Sequence, residues 1–161
     1  MTCVLGIDPG VSGALAFYYV QERRVAVYDM PLVDGDVNPH EFTRLVMLHQ
    51  PDVAIIEKVH PMPREGVSSV WRFAAAYTTA RVSVMLLNIQ LITVSPSHWK
   101  KVMNVAGGKA GKEQCLEAAI RLFPGNAAAF SRKKDHGRAE AALLAIYQSN
   151  HRSTYERLPA A

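Results

Sequence analysis

Two short apolar runs each end on a carboxylate, and no other feature of the chain restricts its fold as strongly. The first covers residues 2–8, with Val4, Leu5 and Ile7 apolar and Asp8 at its end, and the second residues 52–57, with Val53, Ala54, Ile55 and Ile56 apolar and Glu57 at its end. Apolar runs of this length read as buried strands, and a carboxylate closing such a strand is costly to leave unpaired. Asp8-Pro9-Gly10 is a turn signal that stops the first run, and an Asx-type turn would by itself account for Asp8. If the two strands lie side by side and run parallel, Asp8 and Glu57 emerge at one sheet edge. Clustered acids repel each other, and a divalent cation is the usual remedy.

The segments between and after these strands set the fold class. Residues 13–20 and 25–30 are two further apolar runs joined by polar Gln21-Glu22-Arg23-Arg24, so the first three strands read as an antiparallel meander. Residues 31–38 read as a loop. Residues 39–49 carry helical periodicity through Phe42, Leu45, Val46 and Leu48. A loop at 60–66 leads to a helix over 67–84, and a strand over 90–94 follows. Ser95-Pro96-Ser97 is a helix start, leading into 98–103. Residues 105–111 read as a flexible glycine-rich link, 112–123 as an amphipathic helix, 127–134 as a loop and 136–149 as the last helix. The expected fold is α/β, a mixed five-stranded sheet of three antiparallel then two parallel strands flanked by helices. Residues 1–149 are expected to form one domain, and 150–161 a polar tail.

Composition narrows the partners. The 161 residues are 49% apolar and 20% charged, a globular balance. No apolar run approaches the roughly 18 residues of a membrane span, so no membrane partner is expected. The start MTCVLGIDPG lacks a basic n-region, which predicts no signal peptide. Cys3 and Cys115 are the two cysteines, too few for a disulfide framework, so a reducing compartment is expected. The net charge of +4 conceals a split. Residues 1–57 hold three basic and eight acidic side chains, whereas residues 58–138 hold thirteen and four. A strongly basic segment suits a polyanion, or simply a solvated lysine-rich surface.

Two more acids flank the last helix. Its predicted buried face is Ala139, Ala142, Leu143, Ile146 and Tyr147. Glu140 borders that stripe, with His136 one turn earlier, and Asp135 stands at or before the helix start. Asp135 serves either as a cap or, with Glu140, points at the Asp8/Glu57 edge. All-oxygen ligands favour Mg²⁺ or Mn²⁺, and two such ions about 4 Å apart can ionise a water and stabilise the leaving oxygen of a phosphodiester.

Gly6-Ile7-Asp8-Pro9-Gly10 followed by Ser12-Gly13, then Ile56-Glu57, then Lys133-Lys134-Asp135-His136-Gly137-Arg138-Ala139-Glu140 together resemble the RuvC-type Holliday junction resolvases of the ribonuclease H-like superfamily. The C-terminal motif is most similar to the branch that holds the plant chloroplast resolvase and related bacterial and phage proteins. The resemblance implies catalytic, metal-binding roles for Asp8, Glu57, Asp135 and Glu140. It also implies a lysine near the scissile phosphate or attacking water, Lys112 with Lys109 as the rival. RuvC itself spaces its last two acids more closely, which leaves open whether Asp135, His136 or both face the metals.

By the same resemblance, the loop and helix after Glu57 face the junction centre through Arg64, Trp71, Arg72 and Phe73, basic and aromatic side chains that suit phosphates and unstacked bases. Trp71 is either a wedge or a core ring, and Phe73 reads as core. Trp99 reads as a packing residue. Lys100, Lys101, Lys109, Arg132, Lys133 and Lys134 are the expected phosphate contacts, making binding salt-dependent. The implied function is a Mg²⁺-dependent endonuclease with two ions per active site, Mn²⁺ substituting. It binds four-way DNA junctions as a homodimer and nicks them symmetrically in the cytoplasm of a bacterial or phage-infected cell. The alternatives are a broader flap or fork nuclease and a junction-binding protein that does not cut. An actin-like or sugar-kinase-like ATPase needs a second domain that 161 residues do not supply, so no nucleotide cofactor is expected.

Overall fold

A computed structural model describes residues 2–58 and 66–151. Its first strands are β1 (Cys3–Asp8), β2 (Ala14–Tyr19) and β3 (Arg24–Asp29), followed by the short β4 (Leu32–Val33) and β5 (Asp36–Val37). Helix α1 (Pro39–His49) leads to β6 (Val53–Glu57), then α2 (Val67–Leu86) and β7 (Gln90–Val94). Helices α3 (Pro96–Val102), α4 (Gly108–Leu122) and α5 (His136–Asn150) complete the order, with 3₁₀ turns at Pro124–Phe130 and Lys133–Asp135 before α5.

Five strands form one sheet in the order β3-β2-β1-β6-β7. The β3–β2 and β2–β1 pairs are antiparallel, and the β1–β6 and β6–β7 pairs are parallel. This is the mixed sheet the apolar runs imply. Strand alternation sends Leu5, Ile7, Leu15 and Phe17 to one face, where they meet Phe42, Leu45, Ala76 and Ala80 of α1 and α2. Ala14, Ala16 and Ile55 face the other way, against α4 and α5. No helix among the described residues is long and apolar enough to cross a membrane.

Local chemistry explains the boundaries. The Asn38 side chain accepts from the backbone N–H groups of His40 and Glu41 at 3.1 and 3.2 Å, and Pro39 opens α1 without an orphaned donor. Three expectations change. The link over 105–111 is not all flexible, because α4 begins at Gly108 and the buried Gly111 packs on the Ala106 carbonyl. The 31–38 loop contains the β4–β5 hairpin. Helix α5 is buried on almost every side rather than on one stripe, including Glu140, Ala141, Leu144, Ala145 and Gln148, because it lies between the sheet and α4. The expected tail lies outside the described residues from 152 onward.

Candidate metal centre

Parallel pairing of β1 with β6 sets Ile7 opposite Ile56. Asp8 and Glu57 therefore leave the sheet together at the carboxyl ends of adjacent strands. A third acid arrives with α5, and its approach depends on two glycines. A β-carbon at Gly6 would overlap the Ala141 carbonyl of α5. One at Gly137 would stand 2.9 Å from the Ser12 carbonyl oxygen and 3.1 Å from Asp8 Oδ2. Both contacts require the absence of a side chain, and both press α5 onto the sheet where Glu140 reaches the acids. Gly10, at φ +115°, makes the turn that closes β1.

Asp8, Glu57 and Glu140 each offer an oxygen, and these atoms lie within 4.8 Å of one another. Burial, then repulsion from Glu140 and Glu57, holds the Asp8 carboxyl well above the usual carboxylate range. Burial likewise raises Glu57, against the opposing effects of a hydrogen bond from Trp99 and of the Lys100 charge. The Trp99 indole N–H donates to Glu57 Oε1 at 3.0 Å. Lys100 Nζ lies 3.3 Å from Glu140 Oε1. Burial works against the Lys100 charge, but Glu140 and Glu57 outweigh it and raise its pKa. Three crowded carboxylates with one half-buried ammonium beside them form a site short of positive charge. An all-oxygen donor set at this spacing fits Mg²⁺ or Mn²⁺.

The remaining sequence-derived candidates are distributed around this centre. Asp135 is not drawn into the cluster. Its carboxylate, 1% exposed, accepts from the Arg132 backbone N–H at 2.9 Å and from Arg132 Nη2 at 2.7 Å. Burial alone would raise its pKa, but Arg132 and Arg138 lower it. It occupies the residue before α5 without a side-chain cap bond to that helix. His136 also stands outside the three-acid group, and burial followed by the nearby Lys112 charge lowers its pKa. Lys109, Lys112, Lys133, Lys134 and His136 rim a cavity of about 430 Å³. Lys101 is exposed. Lys100, expected at phosphates, turns inward to Glu140 because α3 starts where β7 ends, at the same sheet edge as Glu57.

Trp71 is 73% exposed and Arg72 is exposed, whereas Phe73 is half-buried with its ring against Gly10. Arg64 lies outside the described residues. Trp99 is fully buried, as a packing residue should be. Its bond to Glu57 and the Lys100–Glu140 pair escape sequence reasoning. The available signal was Ser95-Pro96-Ser97, a helix start placed directly after a strand parallel to the one bearing Glu57.

No protein-family model matches the chain, and no curated protein matches it. Solved structures do. RuvC of T. thermophilus in complex with a Holliday junction substrate is similar at TM-score 0.67 and 14% identity, over 96% of each chain. A Thermus thermophilus RuvC structure is similar at TM-score 0.64 and 14% identity, over 93% of this chain and 96% of that one. The yeast mitochondrial Holliday junction resolvase is similar at TM-score 0.50 and 18% identity, over 95% of this chain and 84% of the other. Across nearly its whole length, this chain has the ribonuclease H-like fold seen in the RuvC-type resolvases.

Proposed function

We propose that this protein is a divalent-metal-dependent endonuclease that binds four-way DNA junctions as a homodimer and resolves them by paired symmetric nicks. The observation that carries this reading is the cluster of Asp8, Glu57 and Glu140, formed where β1, β6 and α5 of a RuvC-like fold converge. When bound, the divalent ions supply an ionised water for in-line attack and charge for the leaving oxygen. Asp8, Glu57 and Glu140 hold them. Trp99 fixes one Glu57 oxygen, and Lys100 balances Glu140. Lys112, with Lys109, Lys133 and Lys134, seats the phosphates of the strand to be cut, leaving a 5′-phosphate. Asp135 orders the approach to α5 through Arg132.

The two-fold assembly draws support from α2. Val67, Trp71, Ala74, Thr78, Val82 and Met85 are exposed. At about 100° per residue they fall on one face. A second copy packing on the Val82–Met85 part of that face makes a self-complementary contact. Phe73 against Gly10 anchors the other end of α2 to the turn that follows Asp8.

The test is a synthetic four-way junction with Mg²⁺ or Mn²⁺, compared with flap and duplex DNA under the same conditions. Wild-type protein should cut the junction in metal, stop in EDTA, and lose cutting but not junction binding on Asp8→Asn. Equal cleavage by wild type and Asp8→Asn refutes the enzymatic reading. A faster flap than junction reaction refutes the junction preference.

A further inference from the structure

Strand β3 is an edge strand of the sheet, and a groove runs along it. The Met30 N–H donates to the Gly13 carbonyl at 3.0 Å, so the Met30–Gly13 pair is hydrogen-bonded. In an antiparallel ladder bonded and non-bonded pairs alternate. Tyr28, Ala26 and Arg24 therefore bond inward to β2, while Val25 and Val27 turn N–H and C=O outward. The Val25 carbonyl takes the Asn126 side-chain N–H at 3.0 Å. Val27 is the next outward residue, with no strand beside it among the described residues.

The space outside this edge is a cavity of about 940 Å³, closed on its far side by Arg121–Asn126, Ala129 and Arg138. Its floor is apolar, since Val25, Val27, Phe123 and Ala129 belong to or pack on the α4–α5 side of the core. Its rim is cationic. Arg24 pairs with Glu22 at 2.9 Å and Arg138 with Asp29 at 2.6 Å. Arg23 and Arg121 have no acidic partner within ion-pair distance among the described residues.

We propose that this groove binds an extended acidic peptide, which adds to β3 as a sixth strand. Strand addition supplies backbone bonds at Val27 and sets alternate side chains over the apolar floor. Carboxylates on the peptide complement Arg23 and Arg121. The floor favours a peptide over nucleic acid, because the accessible Val27, Leu122 and Ala129 offer nothing to phosphate. The lysine-rich cavity around Lys109 and Lys134 shares no residue with this one. The inference is independent of the cleavage chemistry.

The test uses the full chain and a fluorescein-labelled peptide alternating aspartate with valine and phenylalanine. Fluorescence anisotropy should saturate, and the Val27 amide should exchange more slowly with peptide bound. The double variant Arg23→Glu, Arg121→Glu should weaken binding about tenfold. Val27→Pro removes the outward N–H, which edge strands tolerate, and should weaken binding in the anisotropy assay. Four results overturn the proposal. The peptide does not bind. It binds with Val27 exchange unchanged. Single-stranded DNA displaces it and itself slows Val27 exchange. Raising protein concentration alone slows that exchange, which would place a second copy on the edge.

Discussion

Replacing Gly137 by alanine sets two forces against each other, and the structure decides the sign. In an exposed helix interior the change gains at most about 1 kcal/mol. At Gly137 the new β-carbon would meet the Ser12 carbonyl oxygen at 2.9 Å and Asp8 Oδ2 at 3.1 Å. The first neighbour is backbone and cannot rotate away, so α5 must lift by a few tenths of an ångström. Overpacking of this kind costs about 1–3 kcal/mol. Subtracting the helix gain leaves a net loss of about 0–3 kcal/mol. The same shift draws Glu140, one turn further along α5, away from Asp8 and Glu57, so Mn²⁺ affinity should fall about tenfold. Urea unfolding in EDTA reads the first effect, and calorimetric titration with Mn²⁺ reads the second. Gly125→Ala is the control, because a β-carbon there meets nothing within 4 Å; it should raise stability by at most about 1 kcal/mol and leave Mn²⁺ affinity unchanged. A Gly137→Ala protein that gains about 1 kcal/mol and binds Mn²⁺ normally would refute a close-approach role for this glycine.

Trp99→Phe keeps a buried ring but removes the 3.0 Å bond to Glu57. Denaturant unfolding should show a loss of about 1.5–3 kcal/mol, and the acid limb of the cleavage profile should move to higher pH, since that bond holds the Glu57 pKa down. Asp8 and Glu57 both bind a proton more tightly folded than unfolded, so their contribution to metal-free stability is fully present below the unfolded carboxylate values and is lost as pH rises through the raised ones. Asp135, whose pKa is lowered, acts in the opposite sense at lower pH. Melting temperatures in EDTA should therefore fall with rising pH less steeply in Asp8→Asn than in wild type, and a parallel fall in the two proteins would refute the assignment. Lys134→Gln should weaken junction binding in EDTA and reduce the slope of log affinity against log salt by roughly 0.9, the share of one neutralised phosphate. An unchanged slope would take Lys134 off the DNA surface.

The strands bearing Asp8 and Glu57 were legible because an unbroken apolar run ending on an acid has few other uses. Helix α1 was legible from its period, since Phe42, Leu45 and Val46 recur at helical spacing and are the residues it buries. The start of α4 was not, because glycines at 107, 108 and 111 look flexible until Gly111 is seen against Ala106. Trp71 and Trp99 illustrate the same limit. Both sit among apolar and basic neighbours in sequence, yet one is 73% exposed and the other fully buried on Glu57.

Asp135 and Glu140 mark where local information ends. Both are acids near one helix start, and nothing in their spacing distinguishes them. Folding assigns Asp135 to Arg132, three residues away, and Glu140 to Asp8 and Glu57, which belong to distant strands. The strands, their terminal acids and the mixed sheet follow from local sequence, because burial and turn chemistry act over a few residues. Which acids meet, and that Lys100 and Trp99 attend them, is settled by contacts between distant elements. Those contacts depend on how closely α5 and α3 approach the sheet edge, and for α5 the distance is set at Gly6 and Gly137 by residues far away in the chain.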